Sequence, residues 1–187
     1  MSNRIKFFQE AVKNIKTLGT VTPSSRFLSK KMLRKIDFNN ADVLVEFGPG
    51  NGAITKLILE NLSPKAKLIC FEINENFFNQ LQELNHPQLI VLKASAENIE
   101  VELKRLDLGK VCHIISSLPL TIIPDEVSDK VLEKSFRVLE NKGTFIQYQY
   151  SLSYFKKLKK VFKDSILLEF EPLNIPPAFI YHCKKVE

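Results

Sequence analysis

The stretch VLVEFGPGNGAIT, Val43 to Thr55, decides the fold. Five strand-forming residues run into Gly48, Gly50 and Gly52, and a helical pattern follows at once. Val, Leu and Phe at 43–47 suit a pleated, buried surface. Glycines directly after a strand and at the mouth of a helix permit close approach of a ligand to the backbone. A glycine-rich turn alone is weak evidence. Here Glu72 stands twenty residues after Gly52, at the end of the next predicted strand, where a carboxylate accepts both hydroxyls of a ribose.

The turn reads GxGxG rather than GxGxxG, and no GK[ST] follows it, which disfavours a nucleoside triphosphate. Glu46 lies two residues before Gly48. A carboxylate there repels a pyrophosphate but orients backbone or water around a zwitterionic amino-acid end carrying an ammonium. That chemistry favours S-adenosylmethionine over a dinucleotide.

Outward from this turn, β-rich runs alternate with helical patterns, which predicts an α/β domain around a mainly parallel sheet. Helices are predicted over 52–61, 75–84, 97–106 and 125–139, and strands over 43–47, 67–72, 89–93, 111–116 and 143–150, with a turn at 141–143. After a basic helix at 152–162, SILLEFEPL and PAFIYHCKK flank the NIPP turn and predict a closing hairpin at the sheet edge. The expected fold is a Rossmann-like, doubly wound, seven-stranded sheet with an antiparallel C-terminal hairpin. Residues 1–40 are expected to form a helical appendage and 41–187 the ligand-binding domain.

Length and composition fit one domain: 187 residues, 44% apolar and 26% charged, away from disordered, collagenous or coiled-coil chains. No window approaches ~18 uninterrupted apolar residues, and MSNRIKFFQEAVKNIK lacks the form of an export signal, so a cytoplasmic location is expected. Cys70, Cys112 and Cys183 lie far apart without a CxxC, which argues against a disulfide framework or a zinc site, and no metal is expected. A net charge of +6 favours anionic partners, nucleic acid or membrane.

VLVEFGPGNG and Glu72 resemble the class I S-adenosylmethionine-dependent methyltransferases over roughly residues 41–150. The resemblance implies that the Gly48–Gly52 turn meets the methionine portion and adenosine, that Glu72 holds the ribose, and that KASAEN (93–98) contacts adenine. Ser95 stands where family members often carry an aspartate; Ser95 and the Ala96 backbone are the expected contacts there, with Glu97 as a substitute carboxylate. Glu46 and Ser116 complete the expected cofactor set.

The fourth strand ends in IISSLPLTIIP (114–124), beside the crevice where an open α/β sheet places its reactive groups. Pro119 lacks an N–H, so the loop aims the Ser117 and Leu118 carbonyls toward an incoming amine. Adenine N-methyltransferases carry a similar loop in which an aromatic after the proline stacks on the flipped base. Leu120 holds that position, and a stacking contribution of about 1–3 kcal/mol per base is absent.

The segments GTVTPSSRFLSKKM, VEFGPGNGAIT, SSLPL and NIPPAFIYHCKK together resemble the bacterial phosphatidylethanolamine N-methyltransferases over nearly the whole chain. That resemblance implies methyl transfer from S-adenosylmethionine to the ethanolamine amine of a phospholipid at a membrane surface. The runner-up is the ribosomal RNA adenine dimethylases, which usually add a helical RNA-binding domain for which this chain has no remaining length. A third reading is a non-catalytic module that binds membrane or RNA.

In-line displacement at a sulfonium methyl needs a neutral amine held in a dry pocket. Ser117, Leu118, Pro119 and Tyr150 are the catalytic candidates. Tyr148, Tyr181 and His182 are further groups suited to meet a developing ammonium.

Two basic amphipathic segments remain. In residues 4–16, Ile5, Phe8, Val12 and Ile15 recur at helical spacing beside Arg4, Lys6, Lys13 and Lys16, the pattern of an interfacial helix. In SYFKKLKKVFKD, lysines border Phe155, Leu158 and Phe162. The first predicts an enzyme peripheral to the cytoplasmic face of an anionic membrane; the second suits lipid or RNA.

Overall fold

In a computed structural model, residues 25–186 are described. The amphipathic helix expected over 4–16 lies outside the described residues.

Seven strands form one sheet: β1 (Val43–Phe47), β2 (Lys67–Phe71), β3 (Leu89–Leu92), β4 (Val111–Ser116), β5 (Leu139–Gln149), β6 (Ile166–Glu171) and β7 (Ala178–Lys184). Their order is β3-β2-β1-β4-β5-β7-β6. The first five pair in parallel, and β7 runs antiparallel to both β5 and β6. The expected doubly wound sheet with a C-terminal hairpin is the observed architecture. The chain leaves β1 on one side toward β2 and returns on the other as β4, so the switch point lies between the carboxyl ends of β1 and β4.

Six helices accompany the strands among the described residues: α1 (Arg26–Leu33), α2 (Ala53–Leu59), α3 (Glu75–Gln82), α4 (Ile99–Arg105), α5 (Asp125–Val138) and α6 (Phe155–Phe162). They cover both faces, which is why VLVEF shows no polar alternation: every residue of β1 is buried. Val45, Phe47, Ile114 and Phe145 pack with Ile99 of α4, Val131 of α5 and Leu158 of α6. Leu44, Leu68, Ile115 and Ile146 pack on the opposite face with Leu28 and Met32 of α1 and Ile54 and Ile58 of α2. Residues 26–36, placed by sequence reading in an appendage, therefore supply part of the core. Full burial of one such side chain stabilises by about 1.5–3 kcal/mol.

Two boundaries differ from expectation by more than two residues. The turn predicted at 141–143 is a bulge inside a longer β5: pairing jumps from Val111 opposite Leu139 to His113 opposite Thr144, and Lys142 has φ 67°. Gly143 permits it, because a Cβ there would stand 2.9 Å from the Cys112 carbonyl oxygen. α6 begins at Phe155 rather than 152, since Ser151–Ser153 make the turn that leaves β5.

Candidate cofactor and acceptor site

The glycine turn is built by backbone geometry. Gly48, Gly50 and Gly52 have φ of 64°, 57° and 79°, where a side chain is strained. Close approach adds a second requirement at Gly48, where a Cβ would lie 3.1 Å from Leu118 Cδ2, while the space beside Gly50 is open. The Gly48 N–H donates to the Phe71 carbonyl (3.0 Å) and the Ser117 N–H to the Phe47 carbonyl (2.9 Å). The turn is thus stitched to β2 on one side, and the loop after β4 is stitched to β1 on the other.

Glu72 lies where the sequence placed it and is buried. Its Oε2 accepts from the Gly50 N–H (3.1 Å), and its Oε1 accepts from the Asn74 N–H (2.7 Å). Asn74 in turn caps α3 by accepting from Phe77 N–H at 3.2 Å. The carboxylate is therefore held against the turn by backbone donors and locked in orientation.

Glu46 is wholly buried. Its Oε2 accepts from the Thr55 hydroxyl (2.7 Å) and the Cys70 thiol (3.5 Å), while Oε1 has no partner among the described residues. Burial pushes its carboxyl up to about 7, against the lowering effect of the Thr55 and Cys70 hydrogen bonds. Thr55 was not singled out in the sequence, although a hydroxyl in the first helical turn after the glycines is a legible signal. Burial also raises the Cys70 thiol well above its ordinary range.

Ser95 precedes a short 3₁₀ turn, Ala96–Asn98, without a side-chain capping hydrogen bond, and Ala96 is buried. Lys134 Nζ donates to the Glu97 carbonyl (2.6 Å), which fixes that turn against α5. This places KASAEN beside the carboxyl end of β3, on the same edge as Glu72.

The loop after β4 is less free than its sequence implies. Ser116 is fully buried, and its Oγ accepts from the Leu118 N–H at 3.4 Å. The Leu118 carbonyl, expected to face an incoming amine, accepts from Gln147 Nε2 (3.0 Å) and Gln149 Nε2 (3.2 Å). Both lone pairs are thereby occupied by protein donors. Leu120 N–H donates to the same carbonyl across Pro119 (2.8 Å), and the Leu120 side chain is buried. Gln147 Oε1 is itself buried without a partner among the described residues.

QYQY alternates its glutamines and tyrosines between the two faces of β5. Gln147 pairs with Tyr181 across β7 and shares the face of Phe145; Tyr148 pairs with Ile180 on the other face. The signal available was two buried amides at i and i+2 on an otherwise apolar inner face. Tyr148 and Tyr150 form a T-shaped pair with centroids 5.7 Å apart. Burial, with Tyr148 alongside, raises the Tyr150 phenol far above its usual range, so it stays protonated.

The four polar candidates do not converge. Tyr181 is buried on the α6 face, stacks on Phe155 (6.1 Å) and donates to the Ser151 carbonyl (3.2 Å); burial pushes its phenol up to about 12. His182 sits on the α1 face, 3.1 Å from Glu169 Oε2, in a network with Arg34. Burial holds the His182 imidazole below its ordinary value.

A glycine cradle with left-handed dihedrals, a buried carboxylate at the end of β2 and an unpaired carboxylate oxygen under the turn fit S-adenosylmethionine. Among the described residues no cluster of three His, Cys, Asp or Glu side chains is arranged to hold a metal, and no helix is long and apolar enough to cross a membrane.

The fold and this site define a class I S-adenosylmethionine-dependent methyltransferase. The chain belongs to the ribosomal RNA adenine dimethylase family, whose family model matches residues 16–153. Over 184 residues it is 29% identical to an ornithine lipid N-methyltransferase of Singulisphaera acidiphila, covering 97% of this chain and 94% of that protein. It is 30% identical over 112 residues to the ribosomal RNA small subunit methyltransferase A of Mycoplasma capricolum, but that match spans 58% of this chain and 40% of the relative. Among solved structures, a SAM-dependent methyltransferase from Aquifex aeolicus superposes with a TM-score of 0.65 at 17% identity, covering 93% of this chain and 98% of that one.

Proposed function

We propose that this methyltransferase N-methylates the primary amine of a lipid headgroup at a membrane surface, with phosphatidylethanolamine as the expected acceptor. The observation that carries the reading is the nearly end-to-end match to an ornithine lipid N-methyltransferase, against partial matches to ribosomal RNA methyltransferases. Both lipid headgroups present a primary amine, so the shared chemistry is nitrogen attack on a sulfonium methyl.

The site supports a lipid over a base. A flipped adenine stacks on aromatic or apolar side chains that face the pocket, in this loop on the aromatic after the proline. Here that position is Leu120, buried and turned into the core.

S-adenosylmethionine, when bound, supplies an electrophilic methyl group. The chain's own residues position and desolvate. Gly50 opens the backbone to the ligand, Glu72 offers its carboxylate to the ribose, and Glu46 Oε1 offers an acceptor to an ammonium. Gln147 and Gln149 fix the Leu118 backbone, so the Ser117-Leu118-Pro119 loop meets the acceptor in one conformation. Tyr150 and Tyr148 present phenol and ring faces to the ammonium that develops. The basic amphipathic helix expected at 4–16 would hold the enzyme on the cytoplasmic face of an anionic bilayer, at about 1 kcal/mol per lysine or arginine near the surface.

Family membership favours a second reading, adenine methylation in ribosomal RNA. Labelled S-adenosylmethionine offered with phosphatidylethanolamine vesicles, ornithine lipid vesicles and unmodified ribosomal RNA separates them. Label in either lipid supports the proposal and names the headgroup. Label in RNA alone replaces it with the second reading.

A further inference from the structure

Six of the eleven exposed large apolar side chains among the described residues gather on one rim. Ile122 lies in the loop after β4, Tyr150 and Leu152 in the turn after β5, Leu173 and Ile175 between β6 and β7, and Phe27 at the start of α1. These are the carboxyl ends of β4, β5 and β6, on the acceptor side of the crevice.

The rim is held rigidly. Asn174, only 3% exposed, accepts from the Ser25 N–H (3.0 Å) and donates to the Pro176 carbonyl (2.7 Å). Leu173 N–H donates to Glu171 Oε1 (2.9 Å). With Asn174 anchored inward, its neighbours Leu173 and Ile175 are turned out, 60% and 77% exposed. Tyr181 ties the neighbouring Ser151–Leu152 turn down through the Ser151 carbonyl. Apolar side chains on fixed loop tips at a site mouth mark a surface that is covered in the working state.

Charge selects what covers it. The acidic groups near the rim have partners: Asp125 and Asp129 pair with Lys157 (2.6 and 3.2 Å), Glu126 with Lys130 (3.0 Å), and Glu171 with Lys31 (3.2 Å). Arg26 and Lys30 on one flank and Lys156 on the other are exposed. Apolar tips inside a cationic border fit the boundary between headgroups and acyl chains of an anionic bilayer.

We propose that this rim is a membrane-docking surface that inserts Leu152, Leu173 and Ile175 into an anionic leaflet and sets the acceptor site against the headgroups. The inference rests on the lipid reading above and is independent of residues 4–16. A lipid amine then reaches the Leu118 loop without leaving the interface.

The test is flotation of the full chain with vesicles of phosphatidylglycerol and phosphatidylcholine, which contain no primary amine. Leu173→Asp with Ile175→Asp should lower the partition coefficient at least 10-fold, while S-adenosylmethionine affinity and Tm stay unchanged. Val101→Asp, which alters an exposed apolar side chain on α4, should leave partition unchanged. Raising the salt concentration or omitting phosphatidylglycerol should weaken wild-type binding.

Equal partition of the double variant and the wild type overturns the proposal, as does a wild-type chain that ignores these vesicles. Loss of RNA binding or of self-association in the double variant, with vesicle partition intact, overturns it in favour of that occupant. Because the vesicles carry no acceptor, this outcome is separate from that of the methylation assay.

Discussion

Gly50 and Glu72, twenty-two residues apart, are joined by a hydrogen bond of 3.1 Å from the Gly50 N–H to Glu72 Oε2. The contact couples the glycine turn to the carboxylate at the end of β2. Each Glu72 oxygen keeps a further lone pair for a ligand hydroxyl while the backbone donors hold the carboxylate in place.

Gly50→Val is expected to abolish S-adenosylmethionine binding, because a β-branched residue is strained at φ 57°. Glu72→Ala should weaken binding about 10- to 100-fold by removing a charge-assisted pair of acceptors. Isothermal titration calorimetry checks both, and unchanged affinity in the two variants would remove the cofactor assignment.

Gln147→Leu takes one amide donor from the Leu118 carbonyl while leaving Gln149 in place. The Leu118 carbonyl keeps its Gln149 and Leu120 donors, so the lost hydrogen bond should cost about 1 kcal/mol of stability. The loop should also lose its fixed conformation, lowering kcat with little change in cofactor affinity. Steady-state kinetics beside calorimetry separates these effects, and a variant with wild-type kcat would show that the amides only pack.

Acid should act on two buried groups in opposite directions. Glu46 is raised from 4.5 to about 7, so its contribution to stability is complete below pH 4.5 and is lost as pH rises through about 7. His113, whose Nδ1 lies 2.7 Å from the Thr144 hydroxyl, is lowered by burial from 6.5 to about 4. Its contribution is complete above pH 6.5 and is lost as pH falls through about 4. Each contributes roughly 3 kcal/mol, because a tenfold change in proton affinity corresponds to about 1.4 kcal/mol. The wild type should therefore show little net slope between these values. Glu46→Gln should unmask a decline in stability toward acid, read from denaturant midpoints at about pH 4.5, 5.5 and 6.5. A profile that is the same in variant and wild type would contradict this balance.

Leu120→Tyr restores the aromatic that adenine methyltransferases place after the proline, but at a side chain only 1% exposed. Overpacking should lower stability by about 1–3 kcal/mol. Methylation of RNA should not rise. A gain of RNA methylation in this variant would show that the ring alone separates the two acceptors.

Much of this was legible in the sequence because it rests on local rules. The period-2 and period-3.6 patterns placed all seven strands within a few residues, and glycine spacing marked a turn whose dihedrals only glycine takes readily. Glu72 was found by its distance from that turn, since one βαβ unit has a nearly constant length.

Contacts between distant elements were decided only in the tertiary structure. Nothing local to Leu118 announces that Gln147 and Gln149 take its carbonyl; that follows from β4 and β5 lying side by side. Strand alternation alone puts the adjacent Tyr181 and His182 on opposite faces of the sheet, but only the antiparallel pairing of β7 sets Tyr181 opposite Gln147 and His182 opposite Ile146. The scattered apolar residues from Phe27 to Ile175 became one rim only when the sheet brought distant chain segments to the same edge. Sequence by itself set the fold and marked Glu72 at the end of β2 through backbone preference and spacing. Which carbonyls are free, which faces share a side chain and what the molecule turns toward its substrate depend on long-range pairing, because those properties belong to neighbours that the chain order does not name.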